Sequence, residues 1–330
     1  MLRNTLKTLM QSFGPSGNEK TVANTIKTLL AGHVDSLHED ALGNIIVEKY
    51  GTSDDAKRIM LSAHMDQIGF VVSAIEKEGY LRVQPVGGID PMLYDSRHVV
   101  FENATDGVLS IEPVKTGKPT FANCFVDIGA KNREEAMTRV NLGDMCVVYP
   151  DVYDLGEFKV SGPALDNRAA CALLVELLLT TEAQKNTIVG VFSTQEEVGI
   201  RGATVAAYSI APDMGVAIDV TGAGDTPEIK LPQLNLGDGP ANKFMDRSLI
   251  ASPMVRDLIF DAAEQAGVKM QREVLPYGGT DGAAIQHSRG GVPAGVVSIP
   301  CRYVHTPTEV IDMRDMEGAL KVLLKFVDIA

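Results

Sequence analysis

The sequence has few cysteines, and those it has lie far apart. The four, in a chain of 330 residues, are Cys124, Cys146, Cys171 and Cys301. Because none forms a C-x-x-C pair, the pattern argues against a disulfide framework and against a zinc cage built from thiolates. Scattered cysteines are typical of a reducing compartment. The N-terminal segment also lacks the continuous apolar core of a signal peptide, so we expect a cytoplasmic protein.

Basic residues are in the minority. The chain has 30 lysines and arginines against 43 aspartates and glutamates, which gives a net charge of −13. Such a field repels phosphate backbones and anionic lipid surfaces. No apolar run approaches the length of a membrane span. We therefore expect neither a nucleic acid nor a membrane as a partner.

Internal repeats and low-complexity segments are absent, and two kinds of pattern alternate instead. Residues 1–66 and 161–330 show helices alternating with buried strands, which predicts an α/β domain with a mostly parallel central sheet flanked by helices. Residues 67–160 consist of short apolar segments split by Gly, Asp and Pro. That pattern indicates a β-rich module inserted into the α/β domain.

Histidines and carboxylates recur where the predicted strands end. His64 and Asp66 follow "RIMLSA", Glu196 and Glu197 follow "IVGVFST", Asp219 lies near the end of "MGVAIDV", His305 follows "GVVSIPCRYV", and Asp166 begins the helical segment "DNRAACALLVELLLTT". The carboxyl ends of parallel strands meet at one edge of a sheet, where ligands bind. We therefore expect these seven side chains to lie close together.

Each of these residues, taken alone, also has a purely structural interpretation. Asp166 is an acceptable helix N-cap, and Glu196 and Glu197 suit the first turn of a following helix. Asp219 could cap a loop, and a single histidine after a strand is most often hydrogen-bonded in a loop. The functional hypothesis depends on the whole set meeting at one edge.

The set has the chemistry of a divalent metal site. Imidazole and carboxylate ligands suit zinc, cobalt or manganese. Two metal ions need a bridging carboxylate with further ligands on each side, and two histidines with three acids would fill that scheme. If one of the adjacent glutamates binds metal, its neighbour is free to move a proton. Asp66, two residues after His64, is placed to orient the imidazole ring.

The chain resembles the tetrahedral aminopeptidases, a family of metallopeptidases with two cooperating metal ions, some of which were once labelled cellulases. The words that carry the resemblance are "AHMDQIG", "ALDNRAA", "STQEEVGIRGA", "AIDV", "PYGGTDGAAIQ" and "RYVHTPTE". They occur in the family's order along essentially the whole chain, including the insert.

The resemblance implies a role for each residue of the set. Asp166 would bridge two divalent ions, Zn²⁺ or Co²⁺ with Mn²⁺ also suitable. His64 and Asp219 would complete the ligand set of one ion, and Glu197 and His305 that of the other. Glu196 would be the general base that later donates the proton, with Asp66 supporting His64.

The resemblance also implies substrates and partners. The substrates would be peptides with a free N-terminus, and the chain would self-associate through its insert. The expected assembly is a tetrahedral homododecamer built from dimers.

Alternative functions remain open on the sequence. A related dinuclear amidohydrolase, such as a carboxypeptidase or deacylase, shares the Q-E-E and H-x-D words. A metal-stabilised assembly protein without catalysis would need the ligands but not Glu196. For the loop 277–282 we weigh pocket lining against helix capping through Thr280 or Asp281. For Cys301 we favour core packing over lining of the same pocket. We treat His98 as a surface or structural residue, with an oligomer contact as the alternative.

Overall fold

The computed structural model describes residues 1–227 and 234–330 as helices, strands and connecting loops. Within these residues the helices are α1 (Leu2–Met10), α2 (Lys20–Leu30), α3 (Arg133–Met137), α4 (Leu165–Thr180), α5 (Arg201–Ile210), α6 (Pro253–Gln265), α7 (Asp281–Gln286) and α8 (Met313–Ile329), with 3₁₀ turns at Pro91–Leu93 and Phe121–Asn123. None of the described helices combines the length and the apolar character needed to cross a bilayer.

The described strands form two separate structures, a large sheet and a barrel. The strands are β1 (Ser36–Glu39), β2 (Ile45–Lys49), β3 (Arg58–His64), β4 (Gly69–Ile75), β5 (Leu81–Val86), β6 (Arg97–Phe101), β7 (Asp106–Ile111), β8 (Cys124–Asp127), β9 (Met145–Val148), β10 (Tyr153–Leu155), β11 (Lys159–Gly162), β12 (Thr187–Ser193), β13 (Met214–Gly222), β14 (Ala241–Met245), β15 (Gln271–Val274), β16 (Ala294–Arg302) and β17 (Glu309–Asp312).

The large sheet runs in the order β1-β2-β12-β3-β13-β16-β17-β11-β10, with β14 and β15 attached beside β16. The four central strands, β12, β3, β13 and β16, are parallel. The prediction of a mostly parallel sheet is correct for this centre and wrong for the flanks. There β1, β2, β17, β11 and β10 join antiparallel. Short connections such as residues 303–308 between β16 and β17 leave no room for a crossover helix, so these strands return antiparallel.

Helices cover both faces of the large sheet, as expected for an α/β fold. On one face α1, α2, α4, α6 and α8 pack into the main hydrophobic core, and on the other α5 and α7 enclose a smaller one. Helix α4 is apolar on nearly every side and is buried from Leu165 to Leu178, because it is enclosed by the sheet and by α1 and α8.

The barrel is closed by the strands β4-β5-β8-β7-β6-β9 and has its own core. The predicted insert, residues 67–160, contains all six barrel strands. It also contains β10, which pairs with β11 at the edge of the large sheet. The chain enters the barrel through β4, soon after β3, and leaves it from β9, which pairs with β4; it then forms β10 and β11 before it reaches α4.

Candidate metal centre

The carboxyl ends of the central strands bring the predicted residues together. Strands β3 and β12 pair so that His64 lies opposite Ser193, and the loop after β12 then carries Glu196 and Glu197. Asp219 lies in β13, on the other side of β3, and His305 follows the end of β16. The convergence predicted from the strand ends is therefore present in the structure.

Asp166 lies at the middle of the cluster, and its two carboxylate oxygens face different histidines. Oδ1 is 3.1 Å from His64 Nε2, and Oδ2 is 3.3 Å from His305 Nε2. The carboxylate of Asp166, at the start of α4, accepts no hydrogen bond from the described backbone N–H groups of that helix, because its two oxygens face the histidines. The capping interpretation of Asp166 is wrong.

Each histidine has a second carboxylate beside it. Asp219 Oδ1 lies 3.7 Å from His64 Nε2, and Glu197 Oε2 lies 3.2 Å from His305 Nε2. The cluster thus divides into two halves that share Asp166. His64, Asp166 and Glu197 can offer ligand atoms within 4.8 Å of one another.

Asp66 supports both halves from behind. Its Oδ1 lies 3.4 Å from His64 Nδ1 and accepts a hydrogen bond from the Glu196 N–H at 3.0 Å. Its Oδ2 accepts from the Glu197 N–H at 3.2 Å and from Ser16 Oγ at 2.6 Å. The fully buried carboxylate of Asp66 therefore holds the histidine ring and the double-glutamate loop in one arrangement.

Glu196 and Glu197 lie in a loop and not in a helix. Helix α5 begins only at Arg201, so the interpretation of these acids as first-turn helix residues is wrong. The Glu196 carbonyl accepts from the N–H groups of Gly199 and Ile200, which closes a tight turn. This turn leaves the Glu196 carboxylate in the same cleft as His64, Asp166 and Asp219.

The cluster carries more negative charge than its histidines balance. Burial opposes protonation of His64 and His305, but the adjacent carboxylates outweigh it and raise the pKa of His64, and that of His305 to about 12. Burial also raises the pKa of Asp219 to about 7, with Asp166 adding to the effect. A divalent cation would replace protons held in this way, since imidazole binds metals in its neutral form.

The donor set fits divalent metal ions. Two imidazole nitrogens and several carboxylates are ligands that zinc, cobalt and manganese accept. Glu197 Oε1 is buried and has no hydrogen-bond partner among the described residues, although a buried carboxylate oxygen normally has one. A metal ion beside His305 would satisfy this oxygen.

Sequence reasoning missed a second acid that ties the two halves together. Glu309, at the start of β17, accepts the His305 N–H at 2.8 Å through Oε1 and the Asp166 N–H at 3.0 Å through Oε2. Its only sequence signal is its place at the end of the word "RYVHTPTE".

Two residues of the barrel segment also reach His305. The Gly88 carbonyl lies 2.8 Å from Nδ1, and Tyr94 Oη donates to the His305 carbonyl at 3.1 Å.

Another buried acid lies beneath the cluster. Asp281, the first residue of α7, accepts hydrogen bonds from Ser62 Oγ at 2.6 Å and Ser193 Oγ at 2.5 Å. Thr280 is the N-cap of α7, whereas Tyr277, Gly278 and Gly279 line the cleft. Both interpretations of the loop 277–282 therefore hold, each for different residues.

The cleft in front of the cluster has a volume of about 620 Å³, which is ample for a small ligand. Lys243 lies in its wall, almost fully buried, with Nζ 3.1 Å from Glu273 Oε1 and 3.7 Å from Asp246 Oδ2. No sequence pattern pointed to this lysine. Cys301 is fully buried in the main core, as predicted, and it also borders the cleft. His98 is exposed on β6.

Comparisons with known proteins agree on one family. The sequence profile described as M42 glutamyl aminopeptidase matches residues 43–322. A protein of Acetivibrio thermocellus that carries an aminopeptidase name is 40% identical, over 98% of this chain and 97% of that protein. The lysyl aminopeptidase of Pyrococcus furiosus is 33% identical, over 96% of this chain and 94% of that protein.

The fold has a close structural counterpart. The TET1 peptidase of Pyrococcus horikoshii superposes with a TM-score of 0.90 and is 31% identical, with 99% of each chain covered. That protein can assemble into a tetrahedron or a large octahedral shell.

Proposed function

The chain belongs to the M42 glutamyl aminopeptidase family, and we propose that it removes residues from the N-terminus of peptides at a dinuclear metal centre. The family match confirms the resemblance drawn from the motifs and the expectation of a hydrolase that acts on peptides. The position of Asp166 is the observation that carries the proposal. A carboxylate whose two oxygens face two different imidazoles suits a pair of bridged metal ions.

The remaining ligands follow from the two halves of the cluster. His64 and Asp219 would hold one ion with Asp166 Oδ1, and His305 and Glu197 the other with Asp166 Oδ2. Zinc and cobalt suit this set best, and manganese also accepts it. When bound, such ions polarise the scissile carbonyl and increase the acidity of water.

Glu196 is the residue we assign to proton transfer. Burial raises the pKa of its carboxyl group, and the neighbouring carboxylates of Asp219 and Asp281 add to this effect against the opposing charge of His64. A carboxylate with a raised pKa takes up a proton from water more readily and can return it to the leaving amine. Glu196 belongs to neither of the two halves that would hold the ions, and this supports its role in proton transfer.

Asp66 acts on the reaction through other residues. Its carboxylate holds the His64 ring and the backbone of both adjacent glutamates. We therefore assign it the positioning of one ligand and of the general base, and no contact with the substrate.

The lining of the cleft suits substrates with a free amine. Glu196, Glu197, Asp166 and Asp219 line it together. The free amino group of a peptide would sit beside the metal ions and these acids, which would limit cleavage to the first residue.

We propose in addition that the chain self-associates through its barrel, in a tetrahedral homododecamer built from dimers. The similarity to the TET1 peptidase of Pyrococcus horikoshii over 99% of both chains supports this assembly. Its mass in solution can be measured by light scattering.

The proposed activity is tested with a panel of aminoacyl-p-nitroanilides. Metal-stripped protein is assayed alone and with added Zn²⁺, Co²⁺ or Mn²⁺, and N-acetylated substrates are run beside the free amines. We expect metal-dependent release from the free amines only. Cleavage of the acetylated substrates would identify a deacylase or an endopeptidase instead. Absence of cleavage from a protein that holds two ions per chain would refute the peptidase assignment.

A further inference from the structure

His305 has an unusual backbone conformation. Its φ is +60°, in the left-handed region that non-glycine residues seldom adopt. Such a conformation is strained and persists only where the surroundings enforce it. The contacts of His305 therefore decide whether its ring points toward Asp166 and Glu197.

Three hydrogen bonds fix His305, one on each of its polar groups that does not face the metal cluster. Its N–H donates to Glu309 Oε1 at 2.8 Å. Its carbonyl accepts from Tyr94 Oη at 3.1 Å, and its ring Nδ1 lies 2.8 Å from the Gly88 carbonyl. Two of the three partners belong to the connection between β5 and β6, in the barrel.

The Gly88 contact also selects the form of the imidazole. A carbonyl oxygen can only accept, so Nδ1 must carry the proton and donate it. The lone pair of the neutral ring is then on Nε2, which faces Asp166 and Glu197. This is the arrangement by which outer hydrogen bonds orient a metal-ligating histidine.

Tyr94 is itself held by the core of the barrel. Its side chain is 2% exposed, and its ring packs edge-on against Phe70 of β4, with centroids 5.4 Å apart at 76°. The hydroxyl group reaches from this core to the His305 carbonyl. The barrel thus contacts His305, a residue of the α/β domain, through a side chain fixed in its own core.

We propose that the β5–β6 connection of the barrel is a positioning element for the second metal position, and that Tyr94 is its principal side chain. The proposal rests on the dinuclear centre described above. The barrel is then more than a surface for assembly, because the half of the centre formed by His305 and Glu197 depends on it. The half formed by His64 and Asp219 does not.

The test is a Co²⁺ titration of metal-stripped full-length protein, followed by equilibrium dialysis and by the visible absorption of bound Co²⁺. Tyr94→Phe removes the hydroxyl group and keeps the ring against Phe70. Tyr80→Phe is the matched control. Tyr80 lies in the same barrel, edge-on to Phe125 at 5.3 Å, and its hydroxyl makes no hydrogen bond to the described residues.

We expect wild type and Tyr80→Phe to bind two Co²⁺ ions per chain with the same spectrum. Tyr94→Phe should bind one ion normally and the other about 10-fold or more weakly. Loss of a hydrogen-bond partner that orients a metal-ligating residue typically lowers the affinity for the metal by about 10–100-fold. The spectrum of the second ion should change.

Unchanged binding and spectra in Tyr94→Phe would overturn the inference. So would an equal loss for both ions together with a lower melting temperature, because that pattern would mean general damage to the fold. A wild-type protein that binds fewer than two ions would instead refute the dinuclear centre itself.

Discussion

Replacing Glu196 by glutamine separates proton transfer from metal binding. The amide has the same length and shape but cannot accept a proton from water. The backbone contacts of this residue do not depend on its side chain, because its N–H donates to Asp66 Oδ1 at 3.0 Å and its carbonyl accepts from Gly199 and Ile200. The double-glutamate loop should therefore keep its shape.

The magnitude of the effect follows from the role of the group. A positioned general acid–base contributes about 10²–10⁴-fold to the rate, which corresponds to about 3–5 kcal/mol of transition-state stabilisation. We expect kcat to fall by that factor. The stability of the fold should not fall, since the substitution removes a half-buried carboxylate that lies beside the acids Asp219 and Asp281.

The assay measures kcat on the best aminoacyl-p-nitroanilide, the Co²⁺ content per chain and the melting temperature. Glu197→Gln is the matched control one residue away. Because Glu197 Oε2 lies 3.2 Å from His305 Nε2, this variant should lose affinity for metal, whereas Glu196→Gln should keep both ions. A fully loaded Glu196→Gln protein that retains more than a tenth of the wild-type kcat would refute the assignment. An assembly protein without catalysis would show no change at all.

Three further predictions concern the metals and the scaffold around them. Removal of metal by a chelator should lower the melting temperature, because ions at 100 times their Kd stabilise a native site by about 2.7 kcal/mol; an unchanged melting temperature after verified removal would contradict a native-state site. Glu309→Gln should lower the affinity for both ions in the Co²⁺ titration, because a glutamine amide nitrogen cannot accept a hydrogen bond from one of the two N–H groups of Asp166 and His305. A loss of affinity confined to one ion would contradict the idea that Glu309 joins the two halves. Gly202→Ala should lower the free energy of unfolding in urea by about 1–3 kcal/mol, since a Cβ there would overlap Asn44 Oδ1 and the Thr194 carbonyl. Gly290→Ala, with no heavy atom within 4 Å of the added Cβ, is its control, and equal midpoints for the two variants would contradict the packing argument.

The sequence predicted the cluster well because its residues follow strands of one parallel sheet. A continuous apolar run such as "TIVGVFS" identifies a buried strand, and the register of β3 against β12 then places His64 beside the double-glutamate loop. The motifs supplied the rest, including Asp166, which no strand carries. Ligands at strand ends are therefore accessible to sequence reasoning.

The supporting residues were not predictable in the same way. Tyr94 and Gly88 lie in the insert and meet His305 across more than 200 positions of the chain. Asp281 is predicted from the sequence as a helix-capping residue, and only its hydrogen bonds with Ser62 of β3 and Ser193 of β12 show that it is buried beneath the cluster. Such contacts depend on how two structures pack together, which local pattern does not encode.

The antiparallel flanks of the sheet were missed for a related reason. Strands as short as β10 and β17 leave almost no periodic signal, and their direction depends on the length of the loops that join them. A strand alternating with a helix gives a clear pattern, and a short return strand does not.

The order of the proposed ligands along the chain has a consequence for biosynthesis. His64, Asp166, Glu197 and Asp219 leave the ribosome first, and His305 arrives only after β16, a central strand of the sheet. At about 5–20 residues per second, several seconds of translation separate Asp219 from His305. During that time β13 has no β16 beside it, and the second half of the site does not exist. A nascent chain that has not yet reached His305 would therefore lack the second of the two proposed metal positions, and with it the proposed dinuclear site.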